Sequence, residues 1–239
     1  MATRGIGRRT KIRSIARRGA LDENAIYERI MAAVFEHRLP PGTKLGEDKL
    51  AGIFGVSRAR VRRVLLRLAH EHVVTLEPNR GAFVSKPTAA EARDMFEARR
   101  LIEPGIVTQC IDRADRTGMT RLRQHVAEER RAREANDLRA IVRLSGEFHV
   151  LIAEIAANAI LARTMRELTL LTCLIIALYD APAVPHCRSD EHANIVDAIA
   201  RKDKERAVGL MIEHLEHVRA GLDLDVASAE PADLDVILS

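Results

Sequence analysis

Cysteine is scarce: Cys110, Cys173 and Cys187 are the only three, widely spaced and without a C-x-x-C pair. An odd count at that spacing predicts neither a disulfide framework nor a zinc ribbon, and it fits a reducing cytoplasm. Long apolar runs are missing as well. The longest, Leu168 to Tyr179, falls short of the ~20 residues that span a bilayer and reads as a buried helix. The N-terminus is basic but has no apolar stretch behind it, so it is not a secretory signal. No H-E-x-x-H, G-x-S-x-G or comparable catalytic signature occurs. Membrane proteins, secreted disulfide scaffolds and motif-bearing hydrolases are thereby disfavoured.

What remains is a chain of 239 residues, 47% hydrophobic, with room for one or two domains and ample apolar mass for their cores. Its charge is lopsided. Residues 1–88 carry 18 Lys/Arg against 8 Asp/Glu, a net of +10; residues 89–239 carry 20 against 26, a net of −6. A basic front and an acidic rear predict a polyanion-binding module joined to a unit that does not touch the polyanion. Residues 1–20 hold seven basic residues (Arg4, Arg8, Arg9, Lys11, Arg13, Arg17, Arg18) and no acid. That stretch reads as a flexible tail that either solubilises the chain or adds phosphate contacts.

The pattern in residues 21–86 is specific. Apolar residues recur at helical spacing from Leu21 to His37 (Ile26, Ile30, Ala33, Val34), and Leu39-Pro40-Pro41-Gly42 ends that helix. A short helix over 46–55 closes at Gly55, where a left-handed residue is wanted. Ser57 then caps a third helix that begins Arg58-Ala59-Arg60-Val61-Arg62-Arg63. Val73–Leu76 and Gly81–Val84 follow as a strand pair joined by Glu77-Pro78-Asn79-Arg80. Three helices and a two-stranded wing describe a winged helix-turn-helix, a fold that seats one helix in the major groove of DNA. On residues 57–70 the stripe Val61, Val64, Leu65 and Leu68 must pack inward, while Arg58 and Arg62 project from the first turns. Arginine there matches guanine O6/N7, and the Ser57 hydroxyl with the helix N-terminus suits a phosphate. The bland alternative is a solvated basic face.

Here the sequence resembles the GntR family of bacterial transcription factors. Their pattern runs L-x-P-G-x-x-L-x-E-x-x-L-A-x-x-F-G-V-S-R-x-x-V-R-x-x-L-x-x-L, then a wing with G-x-F-V. The chain supplies Leu39, Pro41, Gly42, Leu45, Glu47, Leu50, Ala51, Phe54 to Arg58, Val61, Arg62, Leu65, Leu68, Gly81, Phe83 and Val84. The resemblance implies that Arg58 and Arg62 contact operator DNA, with Arg60 beside them, and that Gly81 approaches the minor groove. A basic residue often found after the helix-2 glutamate is Asp48 here, so its contact is either lost or moved to Lys49.

From residue 89 the chain reads as helix throughout: 89–110 (bent at Pro104), 118–135, 137–157, 159–180, 188–201 and 204–222, then a loose tail over 223–239. The fold class is therefore mainly α, a winged helix-turn-helix followed by an all-α bundle at 89–222. Three histidines sit oddly. His214 and His192 fall on apolar stripes, and His149 borders one. Three converging imidazoles suit a divalent transition metal, but the spacing matches no local ligand motif, and on spacing alone separately hydrogen-bonded core histidines are the favoured reading.

Residues 89–222 resemble the FCD effector domain of the FadR-type branch of that family. They contain Glu97-Ala98-Arg99-Arg100-Leu101-Ile102-Glu103-Pro104, Ser145-Gly146-Glu147-Phe148-His149, Glu191-His192-Ala193-Asn194-Ile195 and Met211-Ile212-Glu213-His214. The resemblance implies that His149, His192 and His214 hold a divalent ion, Zn²⁺ or Ni²⁺ by donor type. Metal-binding relatives add an Asp where this chain has Ser145, a poor ligand, which leaves water or effector to complete the coordination. Arg99 is the candidate for a carboxylate effector. Glu103 fits a structural role, and His186, Cys187 and His217 are the alternative ligands. The resemblance also implies a homodimer on a near-palindromic operator, joined through the rear domain. The leading expectation is thus a transcriptional regulator, a repressor released by a small acid. A three-histidine hydrolytic enzyme and an effector-independent architectural DNA-binding protein are the competing readings.

Overall fold

The structure, a computed structural model, describes residues 21–179 and 190–224. The expected tail over 1–20, the 181–185 loop and the chain from 225 onward lie outside the described residues, as do His186 and Cys187. The first unit comprises α1 (Glu23–Phe35), α2 (Glu47–Phe54), α3 (Arg58–His70), β1 (Val74–Glu77) and β2 (Gly81–Val84). Capping chemistry sets the helix starts. The Asp22 carboxylate accepts from Ala25 N (2.7 Å) and opens α1 two residues after the expected start, while Ser57 Oγ accepts from Arg60 N at α3. Gly55 closes α2 in the left-handed region (φ 65°). The α1 end comes early too, because His37 itself adopts φ 52° and cannot continue the helix.

β1 and β2 pair antiparallel from Val74↔Val84 to Glu77↔Gly81. The first strand starts one residue later than expected; Val73 is buried, and its carbonyl accepts from Ser85 N at 2.9 Å. Gly81 begins the return strand at φ 102°, a conformation open to glycine and strained for other residues.

The second unit is the helical bundle α4 (Ala89–Arg113), α5 (Arg116–Glu134), α6 (Leu138–Ile155), α7 (Ala159–Tyr179), α8 (Glu191–Ala200) and α9 (Lys204–Ala220). The molecule is thus mainly α, a winged helix joined to an all-helical bundle. A Thr88–Glu91 capping box starts α4, and Pro104 sits inside that helix without ending it. The expected stop at Thr117-Gly118 is corrected: Asp115 accepts from Gly118 N (2.7 Å) and caps α5 there, so Gly118 lies within the first turn.

Three apolar cores fill the units, and α7 contributes to each, the smallest through Ile175 beside Met95 and Phe96 of α4. Leu170 and Leu174 are buried in the winged-helix core beside Ile30, Val64 and Leu68, while Ala162 and Met165 of the same helix pack in the bundle core. Burying a leucine is worth roughly 1.5–3 kcal/mol, so these two side chains couple the units substantially. Gly146 marks the close approach of α6 to α7. A Cβ there would lie 2.8 Å from Thr169 Cγ2 and 3.4 Å from the Phe35 ring. Thr169 is β-branched and stiff in a helix, so it yields poorly. Overpacking of this kind costs about 1–3 kcal/mol, against a gain of about 1 kcal/mol in helix propensity. Gly146→Ala should therefore lower the thermal midpoint; an unchanged or raised midpoint would show that the helices separate without cost.

Candidate nucleic-acid interface and metal centre

Arg58 and Arg62 leave the first turns of α3 on the exposed side, with 60% and 61% of their side chains accessible. Glu47 of α2 grips Arg62 through both oxygens, Nε to Oε1 and Nη2 to Oε2 at 2.7 Å each, and this fork holds the Glu47 carboxyl below its usual range. Arg58 Nε lies 3.0 Å from Asp48 Oδ1. Exposed pairs of this kind contribute little, so phosphate or base can displace them readily.

Arg60 is placed differently. It is half-buried, and its Nη1 donates to the Leu21 carbonyl (2.9 Å), tying α3 to the chain before α1 instead of standing with Arg58 and Arg62. Lys49 is half-buried on α2, and Gly81 is exposed on the wing. Arg80 was not singled out by pattern; it stands at the wing turn 70% exposed, with its guanidinium 5.5 Å from the Phe83 ring. The signal was a basic residue next to the wing glycine.

Because Glu47 both aims Arg62 and adds negative charge at this face, Glu47→Ala should act in two directions. Binding to random duplex should tighten by roughly 2–5-fold while the preference for a specific site narrows. Parallel titrations of specific and random DNA check this, and an unaltered ratio between them would refute it.

In the bundle, α6, α8 and α9 bring His149, His192 and His214 together, all buried. His149 Nε2 and His192 Nε2 each lie 3.3 Å from His214 Nε2. Every Nδ1 meets a carboxylate: His149 with Glu103 at 2.7 Å, His192 with Glu129 at 2.8 Å and His214 with Glu191 at 2.7 Å. An ionised carboxylate only accepts, so each ring carries its proton on Nδ1 and turns an Nε2 lone pair inward. Three facing lone pairs with no donor between them repel one another, and a cation removes that cost. A tetrahedral ion with nitrogens at roughly 2.0–2.1 Å has ligand edges of about 3.3–3.4 Å; the two edges at His214 match this, and all three ligand atoms lie within 4.8 Å of one another.

Electrostatics agree with neutral ligands on charged supports. Burial lowers His149 to about 3, with the Arg99 charge adding to it, which keeps that ring neutral. Glu103 stands at about 2: burial opposes its charge, but Arg99 and the His149 hydrogen bond together outweigh burial. Glu129 is also held at about 2, burial being overcome by hydrogen bonds from His125 and His192. Phe148 stacks on His192 with ring centroids 3.9 Å apart and fixes the imidazole plane.

The centre opens on a cavity of about 410 Å³ whose lining includes His149, His214, Arg99, Ser145, Thr169 and Thr172. Arg99 is buried, with Nε on Glu103 Oε1 (2.5 Å) and Nη1 on Thr172 Oγ1 (3.0 Å). Its Nη2 has no partner among the described residues, and neither has the buried Thr169 hydroxyl. Ser145 lies one turn before His149 on the same wall. His217, the alternative ligand, is half-exposed and bonds Glu191 at 2.6 Å outside the cluster. Glu129 and Thr169 escaped sequence reasoning, since both look like ordinary helix-surface residues until the bundle closes over them. A wider cleft of about 610 Å³ beside α1 is lined by Arg–Glu pairs such as Arg121–Glu154 and Arg143–Glu147, which satisfy each other.

A winged helix fused to a helical bundle with a buried, ligand-ready centre defines a one-component DNA-binding regulator with its own sensor unit. Residues 23–84 match the family of bacterial regulatory proteins called gntR, and residues 94–217 match the FCD domain. The chain belongs to the GntR family of transcriptional regulators, in the form that carries an FCD domain. It is 25% identical to the HTH-type transcriptional repressor RspR of Escherichia coli, over 81% of this chain and 85% of that one. It is 29% identical to the HTH-type transcriptional repressor NanR of Salmonella newport, over 90% of each. A GntR transcriptional regulator from Rhodococcus sp. shares the fold, with a TM-score of 0.73 at 23% identity over 83% of this chain and 95% of that one. No helix among the described residues is long and apolar enough to cross a membrane.

Proposed function

We infer that the protein is a cytoplasmic, homodimeric repressor that a small carboxylate releases from its operator. Residues 21–86 serve as its DNA-binding unit and 89–222 as its sensor. The observation carrying this reading is that Arg99 Nη2, without a partner among the described residues, and the inward-facing His149 and His214 open on one cavity. His149, His192 and His214 would hold a divalent ion, Zn²⁺ or Ni²⁺ given all-nitrogen ligands. When bound, that ion supplies an open position for an anionic oxygen. Arg99 would take the other oxygen of the effector's carboxylate, a charge-assisted bond stronger than a neutral one. Glu103 holds both Arg99 and His149, so anchor and metal ligand move as one assembly. Ser145, too short and too weak to replace an Asp, would leave room for water or effector oxygen.

The route to DNA runs along α7. Thr169, Thr172 and Cys173 line the cavity, while Leu170 and Leu174 of the same helix sit in the winged-helix core. A ligand that favours one α7 position therefore favours one setting of the two wings. A 100-fold change in operator affinity needs about 2.7 kcal/mol of such preference. Native mass spectrometry with elemental analysis, on protein purified without chelator and screened against small carboxylates, tests the reading. It should find a dimer with one ion per chain that retains an acid; a metal-free monomer indifferent to every acid would overturn it.

A further inference from the structure

The cavity has a wall that the sensor unit does not provide. His37, in the turn that ends α1, lines it together with Arg99, His149 and His214. That turn belongs to the DNA-binding unit. His37 holds a left-handed backbone (φ 52°) with its N–H on Val34 O at 3.0 Å, which fixes where the imidazole leaves the chain. Two residues earlier, Phe35 meets the α6 backbone at Gly146, where a Cβ would come within 3.4 Å of its ring. The end of α1 is thus pressed against the cavity's own α6 wall. Most of the remaining lining is apolar, including Leu138, Ile141, Val142, Ile176 and Val218.

Resting on the carboxylate reading above, we propose that the effector bridges the two units, with His37 as an effector-contacting residue supplied by the DNA-binding domain. Its chemistry follows from the walls: a carboxylic acid with an apolar body and a further hydrogen-bonding group within reach of the His37 ring. A ligand held only by the bundle acts on DNA binding through packing alone. A ligand that also holds His37 acts on α1 directly, and α1 shares its core with α3: Ile26, Ile30 and Val34 pack with Val61, Val64 and Leu68. Differential contact of this kind is what shifts a two-state equilibrium.

The test uses full-length, zinc-loaded protein with isotope-labelled histidine rings, titrated with hexanoate, benzoate and 4-hydroxybenzoate. His37 is assigned by its loss in His37→Gln. An acid that moves the His149 and His214 signals should move His37 in the same titration. In His37→Gln the same acid should bind at least tenfold more weakly while zinc content stays at one per chain. If His149 and His214 respond and His37 does not, or if His37→Gln binds and releases like the wild type, the bridge is wrong. If no acid moves any cavity histidine, the carboxylate reading itself fails, and the bridge with it.

Discussion

Replacing His214 by alanine should strip the protein of its metal: bound ion falls from one per chain to a small fraction, and the response to any carboxylate disappears. His214 is the cleanest of the three to remove. Its Nδ1 partner Glu191 is 14% exposed and also bonds His217, so the substitution strands no buried charge. His149→Ala and His192→Ala should empty the site equally, at some cost in stability. They leave Glu103 and Glu129 buried, with Arg99 and His125 as the remaining supports. Glu129→Gln keeps all three ligands and changes only what orients His192, so metal affinity should drop by about 10–100-fold. Metal content by elemental analysis, with circular dichroism to verify helicity, checks the set. A His214→Ala protein that retains a full complement of metal would place the ion elsewhere.

The second large effect belongs to α3. Arg58→Ala or Arg62→Ala should weaken specific operator binding by roughly tenfold to a hundredfold and relax sequence preference, because each removes a guanidinium fork from the turns that face the groove. Arg60→Ala should act differently. Its guanidinium holds the Leu21 carbonyl, so it should cost thermal stability more than sequence preference. Binding isotherms on operator and scrambled duplexes separate these outcomes. Undiminished operator affinity in both the Arg58 and Arg62 variants would remove α3 as the reading helix.

Much of this was legible in the chain, for identifiable reasons. The winged helix announces itself through local chemistry: the Gly55 turn, the Ser57 cap and the basic first turns of α3 all lie within a few residues of one another. The bundle's helices show in their periodicity. Their ends were less legible where two signals compete, as at Gly118, which looks like a stop until Asp115 is seen to cap the helix around it. The metal site divides along the same line. The three histidines were visible as polar residues on apolar stripes, but their convergence is tertiary: partners 43 and 22 positions apart carry no spacing signal. Glu129 was invisible because α5 reads as a charged surface helix, and only the packing of α8 against it buries that carboxylate beside His192. His37 was passed over for a similar reason, since nothing local says that the end of α1 borders a cavity in the other unit.

Release from DNA requires the ion and the carboxylate to act together. Operator affinity measured by fluorescence anisotropy, with and without an acid that binds, tests this most directly in three samples: metal-loaded wild type, chelator-treated wild type and His214→Ala. Acid should weaken operator binding by about 100-fold in the loaded wild type, the shift that about 2.7 kcal/mol of coupling produces, and leave the other two nearly unmoved. Equal release in all three samples would contradict the account.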